Sequence, residues 1–129
     1  MEKGVVSQEG QAGIYALEER DQIVYVGRTR NLRKRLRSHI SFSKRANKAS
    51  FAFRRTRIET GKQATYKTRD AKKTLMKDPV FVEAYIRHIE RIKQMTVRFV
   101  EIADPVTQYL FELYAHLEYD LPLDGFDTI

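Results

Sequence analysis

The chain of 129 residues has no cysteine, three prolines, six glycines and three histidines. Without cysteine there is no disulfide framework, no thiol nucleophile and no thiolate-ligated zinc or iron–sulfur site. The few Gly and Pro residues exclude a linker-like or low-complexity chain, and no internal repeat is found. No apolar run approaches the roughly 20 residues a membrane-spanning helix needs. The first ten residues, "MEKGVVSQEG", lack the apolar core of a signal peptide, so a cytoplasmic location is expected. The histidines are not at zinc-ligand spacing, and His88 and His116 read as packing residues. The length suits one domain that buries a real core.

Acidic residues are scarce in one region only. Of the 24 Lys and Arg residues, 18 fall between Arg28 and Lys77, against Glu59 and Asp70 alone, a local balance of +16 within a chain of net charge +7. The remaining residues sum to −9. Like charges this concentrated repel one another unless a polyanion neutralises them. Nucleic acid is the usual polyanion, because its regular phosphates reward a basic stripe by counterion release. A membrane surface fits less well, since the basic segment lacks a continuous apolar face.

The order of elements follows from local signals. "GIYALEE" and "QIVYVG", parted by the polar "RD", read as a β-hairpin after a loose leader over residues 1–11. "NLRKRLRSHI" reads as a helix capped by Asn31, with Leu32, Leu36 and Ile40 on one side. "NKASFAFRRTRIETG" is a second helix ending at Gly61, and the basic residues 62–77 are a short helix or a mobile stretch, so that 41–77 forms a basic helical insertion. Asp78–Pro79 opens a helix carrying Phe81, Tyr85, Ile89 and Ile92 as a core stripe, "TVRFVEI" alternates as a strand, and Asp104–Pro105 opens the last helix. Val106, Tyr109, Leu110, Leu113, Tyr114 and Leu117 are expected to be its buried face. The pattern predicts an α+β domain over residues 1–129, a small three-stranded antiparallel sheet flanked by helices.

Two details single out particular side chains. The hairpin register decides whether Tyr15 and Tyr25 share a face, because successive side chains of a strand alternate. An odd loop such as Arg20–Gln22 pairs Leu17 with Tyr25 and Tyr15 with Gly27 and puts both phenols on one side. An even loop separates them unless a bulge compensates. On the basic helix, at 100° per residue, Arg35 and His39 lie about 60° and 20° from Leu32, at the rim of the apolar stripe. Arg33, Lys34 and Arg37 point further outward.

"GIY" at 13–15, "YVG" at 25–27, Arg35 and His39 make up the pattern GIY–x9–YVG–x7–R–x3–H, which resembles the GIY-YIG nuclease superfamily. The resemblance covers roughly residues 12–125 and implies a metal-dependent endonuclease acting on DNA, double-stranded or branched. By this resemblance Tyr15 acts on the attacking water, as general base or through a hydrogen bond. Tyr25 helps position the water and the scissile phosphate. Arg35 binds the phosphate and stabilises transition-state charge, and His39 assists in the same cluster. Glu112 in "LFELYAHLEYDLP" matches the late glutamate that holds one divalent cation, Mg²⁺ or Mn²⁺, with Glu118 its rival. Relatives often place an Asn shortly after the late proline; here "PLDGFDT" offers Asp124 and Asp127 instead, so the role of that Asn is unassigned. By periodicity alone Glu112 would be a solvated residue, about 140° from the apolar stripe of its helix.

The residue types suit the chemistry. Phosphodiester hydrolysis needs an oriented water, a route for its proton, and positive charge on the transition state. A hard cation manages with one or two carboxylates while keeping waters and substrate phosphate. Arginine offers a planar fork to phosphate, and a phenol, unperturbed near pKa 10, serves as base only beside a cation. Arg28, Arg30, Arg33, Lys34, Arg37, Arg54, Arg55 and Arg57 are the expected nucleic-acid contacts. Two other readings share these residues: a catalytically inactive nucleic-acid-binding module of the same fold, and an RNA-binding domain in which Phe51, Phe53 and Tyr66 stack on bases. No separate specificity module is visible, so target choice would come from the 41–77 insertion, a homo-oligomer or a protein partner.

Overall fold

A computed structural model describes residues 11–42, 48–62 and 68–122. Asp124, Asp127 and Tyr66, and the leader up to Gly10, lie outside the described residues. The chain divides into two compact units, one ending at Arg35 and resuming at Gln94, the other running from Leu36 to Lys93. The basic insertion expected at 41–77 falls within the second. No helix among the described residues is long and apolar enough to cross a membrane.

The first unit is built on an antiparallel sheet of β1 (Gly13–Glu19), β2 (Gln22–Thr29) and β3 (Thr96–Glu101) in the order β2-β1-β3. The fold is thus the α+β arrangement expected, a three-stranded antiparallel sheet with helices. The hairpin loop has two residues, Arg20 and Asp21, with φ of 52° and 64°. Two successive left-handed residues form the tight turn whose twist matches its strands. This loop is even, yet Leu17 pairs with Tyr25 and Tyr15 with Gly27, because the register shifts between Leu17 and Glu18. Glu18 pairs with Ile23, so Val24 is the extra residue of a β-bulge. The bulge cancels the parity of the loop. Tyr15, Leu17, Tyr25 and Gly27, with Val97 and Phe99 of β3, therefore occupy one face, and Ile14, Ala16, Val26, Arg28 and Val100 the other.

Helix α1 (Leu32–His39) starts where the sequence predicts but stops one residue short of Ile40. The Asn31 side chain accepts from Lys34 N–H at 3.1 Å, Thr29 Oγ1 accepts from Asn31 N–H at 3.0 Å, and Leu32 N–H donates to the Gln11 carbonyl at 2.9 Å. These bonds satisfy donors that a helix start leaves open, and they tie it to the residue two before β1.

The last helix, α5 (Pro105–Glu118), also starts as read: Asp104 caps it, accepting from Thr107 N–H at 3.0 Å. Its orientation corrects the sequence expectation. Val106, Tyr109, Leu110, Leu113, Tyr114 and Leu117 are exposed, and the buried side carries Gln108, Glu112, Ala115 and His116. Ala115 packs with Ile14 and Val26, so α5 covers the second face of the sheet. Packing and capping explain the reversal. Ala115 is small enough for the helix to approach the strands closely, Gln108 Nε2 donates to the Ile102 carbonyl at 2.5 Å, and His116 Nδ1 lies 2.8 Å from the Glu112 carbonyl. The inward polar groups thus have bonding partners there.

The second unit holds α2 (Ser50–Thr60), α3 (Thr68–Leu75) and α4 (Pro79–Lys93). Gly61 ends α2 with φ of 72°, and Asp78 starts α4 by accepting from Val80 N–H at 3.0 Å. Phe53, Phe81 and Tyr85 pack ring against ring, with centroids 5.4 to 6.5 Å apart. Lys72 is buried with its ammonium over the Phe53 and Tyr85 rings, donating to the Lys48 carbonyl at 2.8 Å; burial lowers its pKa to about 8. Glu59 accepts two bonds from Arg87, each 2.9 Å, and lies 2.8 Å from His88 Nε2. These partners hold its carboxyl down at about 2.

Candidate active site

On the first face of the sheet three polar side chains converge. The Tyr15 and Tyr25 rings stand with centroids 5.9 Å apart. Arg35, in the second turn of α1, donates from Nε to the Tyr15 hydroxyl at 3.2 Å and from a terminal nitrogen to the Tyr25 hydroxyl at 3.5 Å. Tyr15 is fully buried, Tyr25 nearly so, and Arg35 is half-buried. The backbone devices already described set this triangle: the bulge turns both phenols to one face, and the capped start of α1 fixes where Arg35 leaves its helix. One guanidinium thus holds both phenol oxygens on the same face of the sheet. The cluster can orient a water and present a guanidinium to an anion beside it.

Gly27 belongs to this site for a steric reason. A Cβ at position 27 would lie 2.7 Å from the Tyr15 hydroxyl oxygen and 2.8 Å from Cζ. Only glycine leaves the space that the Tyr15 ring fills. The sequence pattern held this signal, since Tyr15 and Gly27 are paired in the register that brings the phenols together.

Arg28 departs from its expected place among phosphate contacts. It is 5% exposed, its guanidinium carbon lies 3.8 Å from the centroid of the Tyr109 ring, and it donates to the Tyr109 hydroxyl at 2.7 Å. Strand alternation predicts this: Arg28 shares a face with Val26, opposite Tyr25 and Gly27. Arg30, Arg33, Lys34, Arg37 and Arg54 are exposed, and Arg55 and Arg57 are half-buried. The Arg55 and Arg57 guanidinium carbons lie 4.8 Å and 5.6 Å from the centroids of the Phe51 and Phe53 rings.

Glu112 is fully buried on α5, the helix that covers the second face, while its rival Glu118 is exposed. The burial of Glu112 overturns the periodicity argument, which made it a solvated residue. His39 is buried at the end of α1, one turn beyond Arg35. Among the described residues no group of three or more His, Cys, Asp or Glu forms a ready-made metal cage. Glu112, the carboxylate that the resemblance singles out, lies on the helix over the other face of the sheet from the Tyr15, Tyr25 and Arg35 cluster, and the structure does not bring it together with them.

The family model described as the GIY-YIG catalytic domain matches residues 11–114. No curated protein and no solved structure matches the chain. The matched span runs from the residue that anchors α1 through the strands bearing both phenols, past Glu112 on α5. With that span covering most of its length, the chain belongs to the GIY-YIG nuclease family.

Proposed function

We propose that this protein is an endonuclease that hydrolyses phosphodiester bonds of duplex or branched DNA with the help of one divalent cation. The observation that carries the reading is the Arg35 guanidinium bonded to both the Tyr15 and the Tyr25 hydroxyls on one sheet face. Tyr15 acts on the attacking water, either as a phenolate that takes its proton and becomes the neutral phenol, or by orienting it through a hydrogen bond. Tyr25 steadies the water and the scissile phosphate. Arg35 meets the phosphate oxygens and stabilises the charge that builds on them. The assisting role of His39 rests on the family resemblance. On the family resemblance alone, Glu112 would hold the cation, Mg²⁺ or Mn²⁺, which would supply positive charge to the transition state and the leaving oxygen when bound.

Exposed Arg30, Arg33, Lys34 and Arg37 on and beside α1 give DNA a positive surface whose affinity falls steeply with salt, and Arg54 is exposed on α2 of the second unit. Arg28, covered by Tyr109, is left out of that surface. The test is nicking of supercoiled plasmid with Mg²⁺ or Mn²⁺. Wild type is expected to cleave, and Arg35→Ala and Glu112→Gln to lose about two to three orders of magnitude in rate while still binding DNA. Retained DNA binding with no cleavage by wild type under either metal would overturn the reading in favour of a non-catalytic binding module.

A further inference from the structure

The outward side of α5 is an apolar face that the proposed chemistry leaves unused. Val106, Leu110, Leu113 and Leu117 are 64%, 64%, 40% and 63% exposed. Their spacing of four, three and four residues is that of a coiled-coil seam, and on a straight helix it confines them to about 60° of arc. Tyr109 and Tyr114 flank the stripe and are exposed as well. Monomeric proteins rarely leave a contiguous apolar patch larger than a few hundred Å² in water.

The charges of α5 narrow the choice of partner. The helix has no Lys or Arg, its one acidic residue within the stripe's length is Glu112, which faces inward, and Glu118 follows the last stripe residue. Nucleic acid gains nothing from such a face, and a charged partner would bury its charges unpaired. A second copy of the chain presents the same neutral stripe at the same length. Laid antiparallel about a twofold axis, the spacing is self-complementary: Val106 meets Leu117 of the other copy and Leu110 meets its Leu113, each pair occurring twice.

We propose that α5 pairs with α5 of a second copy, antiparallel, to make a homodimer. This does not depend on the nuclease reading. Sedimentation velocity of the full chain is expected to give twice the 15.2 kDa chain mass. The double variant Leu110→Glu, Leu113→Glu should sediment as a monomer with an unchanged far-ultraviolet circular dichroism spectrum, since both side chains point to water in a single copy. The absence of cysteine permits a direct geometric test. Val106→Cys combined with Leu117→Cys should form a covalent dimer on oxidation, whereas Val106→Cys alone should not. Within one helix these positions are about 16 Å apart, beyond the reach of an intramolecular disulfide. A wild-type chain that stays monomeric at its highest soluble concentration would overturn the proposal, as would a glutamate variant that stays dimeric. Efficient cross-linking by Val106→Cys alone would replace the antiparallel pairing with a parallel one.

Discussion

Each face of the sheet carries an arginine set against tyrosine, and the two clusters do opposite things. On one face Arg35 points nitrogen donors at the Tyr15 and Tyr25 hydroxyls and stays half-buried. On the other, Arg28 lies over the Tyr109 ring, bonds its hydroxyl, and is 5% exposed. The first arrangement aligns oxygens beside a positive charge that solvent still reaches. The second buries a charge under an aromatic plate, and its return is cohesion between β2 and α5. The lesson is that residue type alone does not mark a site: the position of an arginine relative to the pleat decides whether its charge serves an incoming anion or the packing.

Exchanging each arginine for lysine breaks the comparison most sharply. Arg35→Lys keeps a charge but loses the planar fork, and should lower the nicking rate by about two orders of magnitude with little change in thermal stability. Arg28→Lys should leave the rate near that of wild type and cost about 1–2 kcal/mol of stability, through weaker ring stacking and a poorer bond to Tyr109. Chemical denaturation beside the plasmid assay separates the two. Equal rate losses for both variants would show that the faces are not functionally distinct.

A smaller effect is expected from Gly27→Ala. The added methyl meets the Tyr15 ring at less than 3 Å, so either the ring or the strand must move. Overpacking of this kind costs about 1–3 kcal/mol. The hydroxyl at the end of that ring is one that Arg35 holds, so activity should fall by more than the loss of folded protein explains. Measuring the rate at a temperature where the variant is fully folded checks this.

The smallest effect lies in the second unit and should leave the catalytic face untouched. Glu59, half-exposed between Arg87 and His88, has its carboxyl lowered from 4.5 to about 2. A carboxyl whose pKa is depressed on folding contributes stability above about pH 4.5 and loses it as pH falls toward 2. His88, whose pKa is lowered chiefly by burial, adds a loss of the same sign as pH drops below 6.5, because the unfolded chain then binds the proton more readily. Thermal midpoints should therefore decline with acidification in two stages, and Glu59→Gln should flatten the lower one.

Much of this was legible in the sequence wherever a local rule governs. Asn31, Asp78–Pro79 and Asp104–Pro105 mark helix starts and Gly61 a helix end, because capping depends on a few neighbouring atoms. Tyr15, Tyr25 and Arg35 were legible as a group through the motif GIY–x9–YVG–x7–R, whereas strand alternation alone left the hairpin register open. Three things were not. The bulge at Val24 is invisible because "QIVYV" is nearly continuously apolar and shows no break in alternation. Arg28 was counted with the surface charges because it sits in a basic run, although the pleat turns it under Tyr109. The orientation of α5 was inverted because periodicity assumes that the apolar side faces the chain's own core. Here a small residue, Ala115, and bonded polar groups face the strands instead.

The bulge at Val24 also bears on how this hairpin can change over evolutionary time. Nine residues separate Tyr15 from Tyr25, and the two-residue loop plus one bulged residue keeps the phenols in phase. A single insertion or deletion between them shifts that phase and sends one phenol to the face covered by α5, unless a second event restores it. Paired insertions merely lengthen the ribbon by one step on each strand. The spacing of the two motifs is thus free to grow in twos and resistant to ones, a constraint written in the backbone rather than in any catalytic group.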